Sequence, residues 1–86
     1  MYKVSLSSYA AKAYSKANIT LAKKLSKCFI HLEINPYENN NIKKLSGQLT
    51  GFYRYRVGDY RIIFEINEKL KLVEVLSIKH RKNAYK

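Results

Sequence analysis

A chain of 86 residues is too short for two ordinary domains; at this size folding buries roughly 60–65% of the surface the unfolded chain exposes, so one core of about 5–10 kcal/mol stability is expected over residues 1–86. Lys and Arg number 17 against 6 Asp and Glu, a formal net charge of +11, which favours a polyanionic partner: nucleic acid, an anionic membrane surface or an acidic protein. No apolar run approaches the ~20 residues that span a bilayer, the amino terminus lacks a secretory signal, and Cys28, with two well-separated histidines, offers neither an internal disulfide nor a zinc pattern, which suits a reducing cytoplasm.

In chain order, "MYKVSL" has the alternation and β-branching of a first strand, ended by Ser7 or Ser8, either of which can cap a helix. A short helix through Tyr9, Ala10, Ala13 and Tyr14 follows, with Asn18 as break and cap for the next. The second helix carries Leu21, Leu25, Cys28, Phe29 and Leu32 at helical spacing, with Lys23, Lys24 and Lys27 on its outer side. Cys28 reads as a small core residue and His31 as a helix-surface or core-edge residue. Pro36 stops the helix, and "NPYENNNIKKLSGQLT" reads as a polar connection. Beyond it the period changes from helix to strand.

"FYRYRVGDYRIIF" is a hairpin in which Gly58-Asp59 makes a two-residue type II′ turn. That turn sets Val57 against Tyr60, Tyr55 against Ile62 and Tyr53 against Phe64, one apolar face for the core. On the other face Arg56 lies across from Arg61, and Arg54 across from Ile63. Opposed like charges destabilise a ladder by a few tenths to about 1 kcal/mol, and an anion between them reverses the sign. A three-residue turn at Asn67-Glu68-Lys69 then leads into "LKLVEVLSI", placing Lys71 opposite Glu65 and Val75 opposite Arg61. In that register, with the chain extended past Ile78, Lys79 and Arg81 share the face of Arg61. The expected class is α+β: two amino-terminal helices on one face of a twisted antiparallel sheet, in the order β-α-α-β-β-β.

The run "KLSGQLTGFYRYRVGDYRIIFEI" followed by "VLSIKHRKNAY" resembles the RelE/ParE toxin superfamily, its RelE-like messenger-RNA interferases in particular. The resemblance implies an RNA site on the sheet face opposite the helices, ribosome-dependent cleavage of translated messenger RNA in the cytoplasm, and neutralisation by a cognate antitoxin. It implies no cofactor, no metal and no membrane partner, and a toxin that is monomeric when free. Matched by position, Arg54 and Arg56 take the family's two basic positions on the first hairpin strand, Arg61 its phosphate-binding arginine, Arg81 its basic residue after the last strand, and Tyr85 its tyrosine near the carboxyl terminus. Lys23, Lys24, Lys27, Lys43, Lys44, Lys79 and Lys82 are the further RNA contacts on this reading, the first three otherwise forming a solvated helix face.

Such cleavage needs a ribose 2′-hydroxyl deprotonated, the growing charge on the adjacent phosphate stabilised and the leaving 5′-oxygen protonated. Arginine suits the second task, because its planar fork stays charged and binds phosphate oxygens in pairs. Where family members carry lysine on the first hairpin strand this chain has Arg54 and Arg56, which resist deprotonation. His80 is then the candidate acid or base, and Glu65 the alternative base. Two other classes fit the charge: a ParE-like inhibitor of DNA gyrase, and a non-catalytic basic RNA-binding module.

Overall fold

In the computed structural model, which describes residues 1–83, strand β1 (Lys3–Leu6) leads into helices α1 (Ser8–Ser15) and α2 (Ile19–Ile34). Then come β2 (Ile42–Lys44), a 3₁₀ turn at Gly47–Leu49, β3 (Tyr53–Val57), β4 (Tyr60–Asn67), β5 (Leu72–His80) and a second 3₁₀ turn at Arg81–Asn83. Two helices on one face of a sheet, the expected α+β arrangement, is what forms. The sheet itself corrects two expectations. It has five strands in the order β1-β5-β4-β3-β2, since part of the polar connection pairs as β2 on the outer edge of β3. It is also mixed rather than antiparallel, because β1 runs parallel to β5.

Local chemistry explains where the helices begin and end. The Ser7 hydroxyl accepts from the Ala10 amide at 3.1 Å, and the Asn18 side chain accepts from the Leu21 amide at 2.8 Å. Each side chain satisfies one of the donors a helix start leaves without a partner. Helix α2 ends two residues before Pro36, which is itself buried. Leu25, Cys28 and Leu32 on α2 and Ala10 on α1 meet Tyr55, Ile62, Phe64, Val73, Val75 and Ile78 from the sheet in one core. Each large apolar side chain fully buried there contributes about 1.5–3 kcal/mol. Burial also pushes the Cys28 thiol up to about 12, so it packs as a neutral apolar group.

The β4–β5 pairing departs from expectation in a way that matters for the opposite face. Asn67 stays in the ladder opposite Leu72, and its side chain accepts from the Leu70 amide at 3.0 Å. Lys71 closes the turn with φ +51°. The turn is therefore one residue longer than expected and starts one residue later, a shift of three positions that sets Glu65 opposite Glu74 instead of Lys71, and Phe64 opposite Val75. Left uncorrected, that register would turn the second half of β5 inside out. A bulge between the pairs Phe64–Val75 and Ile63–Ser77 leaves Leu76 as the extra residue, so inward positions run Val73, Val75, Ile78. Ser7 pins this irregularity, donating its hydroxyl to the Leu76 carbonyl at 2.6 Å and its amide to the Val75 carbonyl at 2.8 Å.

At the far end of the sheet, Glu68 collects three donors. The Tyr2 hydroxyl donates to its two carboxylate oxygens at 2.9 and 2.8 Å, and the Tyr37 hydroxyl and Lys71 ammonium bond the same carboxylate. The carboxylate thereby ties the residue before β1, the segment after α2 and the β4–β5 turn together.

Candidate functional site

Alternation along β3 and β4 sends Tyr55, Val57, Ile62 and Phe64 into the core and Arg54, Arg56, Arg61 and Ile63 to the opposite face. The hairpin register is the one its turn dictates: Gly58 has φ +55° while Asp59 has no positive φ, the type II′ pattern. Arg56 lies directly opposite Arg61, and Arg54 opposite Ile63. On the other side of Arg61, the bulge brings Lys79 into register in place of the expected Val75. Arg61 is thus flanked across both of its ladders by cations, and Lys43 on β2 stands beside Arg54. Burial lowers the pKa of the Arg61 guanidinium, and the positive charges of Arg54, Arg56 and Arg81 lower it further.

Arg81 reaches the same place by another route. Instead of staying extended, the chain leaves β5 at His80 and turns, and the Arg81 amide donates to the Asp59 carbonyl at 2.7 Å. That bond holds the turn after β5 against the Gly58-Asp59 turn, and Arg56, Arg61 and Arg81 line one small cleft of about 90 Å³. Next to it lies a cavity of about 240 Å³, lined by Arg54, Arg61, Lys79 and Ser77 together with Leu45, Leu49 and Ile63. The Nε–H of Arg54 is itself buried, and among the described residues no group accepts from it. The ensemble is a positively charged hollow: among the described residues the larger cavity has no carboxylate in its lining, and Asp59 is the one acidic residue beside the three arginines of the small cleft. Its evident capacity is to hold an anion with several oxygens, since arginine forks match phosphate geometry.

A family model described as "ParE toxin of type II toxin-antitoxin system, parDE" matches residues 5–85. The chain belongs to the RelE/ParE toxin superfamily. A search of curated proteins found no match. Among solved structures, a chain of the archaeal RelE–RelB complex from Pyrococcus horikoshii OT3 is 31% identical, with a TM-score of 0.82 over 96% of this chain and 98% of that one. A chain of the RelBE2 toxin–antitoxin complex from Mycobacterium tuberculosis is 23% identical, with a TM-score of 0.81 over 93% of this chain and 98% of that one. The YoeB/ParE toxin from Agrobacterium tumefaciens is 13% identical, with a TM-score of 0.81 over 91% of this chain and 96% of that one. The chain is a type II toxin built on their common fold.

Within this RelE/ParE fold the remaining expected residues separate. His80 pairs with Tyr60, on the face that carries the helices, and its ring meets the Tyr60 ring edge-on at 5.2 Å; it is not among the side chains lining the arginine hollow. Its Nδ1 accepts from the Lys82 amide at 3.3 Å. Glu65 is on the arginine face but four residues along β4 from Arg61, about 13 Å at strand rise, in the row that pairs it with Glu74. Lys24 and Lys27 line a separate cleft of about 360 Å³ between α2 and β3, where they meet Arg56 and His31 across the rim of the sheet. Lys23, Lys44 and Lys82 are exposed, and Tyr85 lies outside the described residues.

Three lining residues escaped sequence reasoning: Leu45, Leu49 and Ser77. A signal existed for the leucines. In "KLSGQLT" they are lone apolar residues in a polar stretch, four positions apart around Gly47, whose φ of +69° turns the chain there. Ser77 carried none, because its face depends on the bulge at Leu76.

Proposed function

We propose that this toxin is a ribosome-dependent endoribonuclease of the RelE kind, cleaving translated messenger RNA by attack of the ribose 2′-hydroxyl on the adjacent phosphate. The observation that carries the reading is the placement of Arg61 between Arg56 and Lys79, with Arg54 and Arg81 beside it. Three or more fixed cations within reach of one phosphate supply what the pentacoordinate transition state needs most, stabilisation of charge that grows as the 2′-oxygen attacks. Arg54, Arg56, Arg61 and Arg81 are the phosphate-binding groups on this reading, and Tyr85 orients the base. Lys24, Lys27, Lys43 and Lys79, with Lys23, Lys44 and Lys82, add backbone contacts to RNA. His80 and Glu65 stand apart from the arginine pair, so the chain's own contribution is chiefly electrostatic. Alignment by the ribosome is worth about 7–11 kcal/mol of barrier when complete.

The protein partner is a cognate antitoxin, as in the RelE–RelB and RelBE2 complexes. An acidic segment laid over the basic hollow would block it electrostatically. The free toxin is a monomer that acts in the cytoplasm, where ribosomes and message are. Incubating the purified chain with programmed ribosomes and mapping transcript ends tests the activity: new ends within translated codons are expected, and intact message on active ribosomes would sink it.

A second reading has its own support, since the matching family model is described by a ParE toxin. A ParE-like toxin would inhibit DNA gyrase and leave RNA intact. Inducing the chain in cells separates the two, because a gyrase inhibitor triggers the DNA-damage response before translation stops, and an interferase does the reverse.

A further inference from the structure

With RNA as the polyanion, as the proposed function has it, we propose that the cavity of about 240 Å³ beside Arg61 is a nucleobase pocket, in which the base joined to the bound phosphate lies against Leu45, Leu49 and Ile63. A phosphate alone needs cations and hydrogen-bond donors, yet three of the seven side chains lining this cavity are aliphatic. Leu49 is 48% exposed and lies outside the core, so burial in the protein does not account for it. A single exposed leucine requires no explanation. Two leucines converging with an isoleucine on a hollow rimmed by Arg54, Arg61 and Lys79 do, and a nucleotide has the matching division: a planar ring with apolar faces joined to an anion.

The polar groups agree. Ser77 brings to the lining a hydroxyl that can donate to or accept from the edge of a base, and Arg54 and Lys79 in the same lining carry N–H donors. The walls are also held in place before any ligand arrives. Leu45 donates its amide to the Phe52 carbonyl at 3.0 Å, prolonging the β2–β3 pairing. Leu49 sits in a tight turn closed by the Thr50 hydroxyl on the Gly47 carbonyl at 2.7 Å. Little ordering is left for the ligand to impose. The volume falls below the ~300–1,000 Å³ of sites for drug-sized molecules, which fits one base and not two stacked.

Methyl NMR on the isolated chain tests this with adenosine 3′-monophosphate, ribose 5-phosphate and inorganic phosphate as probes. Adenosine 3′-monophosphate is expected to move the methyl signals of Leu45, Leu49 and Ile63, and the two base-free probes to leave them in place. Leu49→Ala should weaken the nucleotide about 5- to 10-fold, the loss expected for most of one leucine contact, with phosphate affinity unchanged and Leu49→Met restoring the nucleotide. Equal methyl shifts with all three probes, or equal weakening of nucleotide and phosphate in Leu49→Ala, would overturn the assignment. The wild-type comparison requires no variant, so a folding defect cannot hide the answer. Because the reading is taken without ribosomes, intact message in the ribosome assay would remove the nuclease reading while this result stands on its own.

Discussion

Arg56 and Arg61 face each other across the β3–β4 hairpin, with Lys79 on the far side of Arg61. Such opposition costs a few tenths to about 1 kcal/mol per directly facing pair, and an anion between the side chains changes its sign. Added phosphate at low salt should therefore raise the thermal midpoint, following RT ln(1 + [L]/Kd). Arg56→Thr should melt slightly higher than wild type without phosphate and respond less to it. Equal phosphate responses in the two proteins would show that the pair is not the anion site.

Arg61 and Arg81 reach the same cleft from β4 and from the turn after β5. If they stabilise a phosphate in the transition state, Arg61→Ala and Arg81→Ala should each lower single-turnover cleavage on ribosomes about 10²–10³-fold, with a much smaller effect on ribosome binding. Lys24→Ala and Lys27→Ala, at the rim of the other cleft, should instead reduce the salt dependence of binding by about one unit of slope apiece and leave the bound rate unchanged. A non-catalytic RNA-binding module would show the second behaviour at all four positions.

His80→Ala tests the residue that sequence reasoning made the leading acid or base. Its ring lies on the helix-bearing face against Tyr60, so the variant is expected to cleave at close to the wild-type rate. A loss of about 10²–10⁴-fold, with one limb of the pH–rate profile removed, would assign proton transfer to His80 despite that placement.

What could be read from the sequence, and what could not, divides at the turns. Arg56 opposite Arg61 was legible because Gly58-Asp59 fixes a two-residue turn, and a two-residue turn fixes every pair behind it. The β4–β5 pairing was not, because Asn67-Glu68-Lys69-Leu70-Lys71 contains no glycine to mark the left-handed position, and Lys71 occupies it. Lys79 still arrived on the expected face, since the longer turn and the bulge at Leu76 compensate. Strand β2 was hidden for a different reason: Ile42-Lys43-Lys44 has little strand character of its own and pairs because β3 offers an edge. Caps and core periodicity, by contrast, are local, and Ser7, Asn18, Leu25 and Leu32 all act as their spacing implies.

Ser7 links the helix start to the bulge that positions Lys79. Its hydroxyl both accepts from the Ala10 amide and donates to the Leu76 carbonyl, so Ser7→Ala removes a cap and leaves a part-buried carbonyl without its donor. The expected cost is about 1–2 kcal/mol, or roughly 4–16 °C in thermal midpoint for a domain of this size. Hydrogen exchange should quicken at Leu76 and Ser77 beyond the change elsewhere in β5. Uniform quickening along the strand would mean that Ser7 acts only through global stability.

Glu68 gives the fold a pH dependence at the end of the sheet remote from the arginines. Hydrogen bonds from Lys71, then Tyr37, then Tyr2 hold its carboxyl down at about 2, against an ordinary 4.5. A carboxyl whose folded pKa lies below its unfolded one binds fewer protons in the native state, so its contribution is complete above about pH 4.5 and is lost as the pH falls towards 2. The alkaline side has the opposite sign. The bond to Glu68, chief among the causes, raises the Tyr2 and Tyr37 hydroxyls above their ordinary 10.0, so the stability they add is present below pH 10 and fades above it. Glu68→Gln should flatten the acid limb of a stability profile between pH 5 and 2 and lower stability at neutral pH. Because the cluster is exposed to solvent and screened by salt, high ionic strength should shrink the difference between variant and wild type. An acid limb identical in the two proteins would place the acid-sensitive carboxylate elsewhere in the fold.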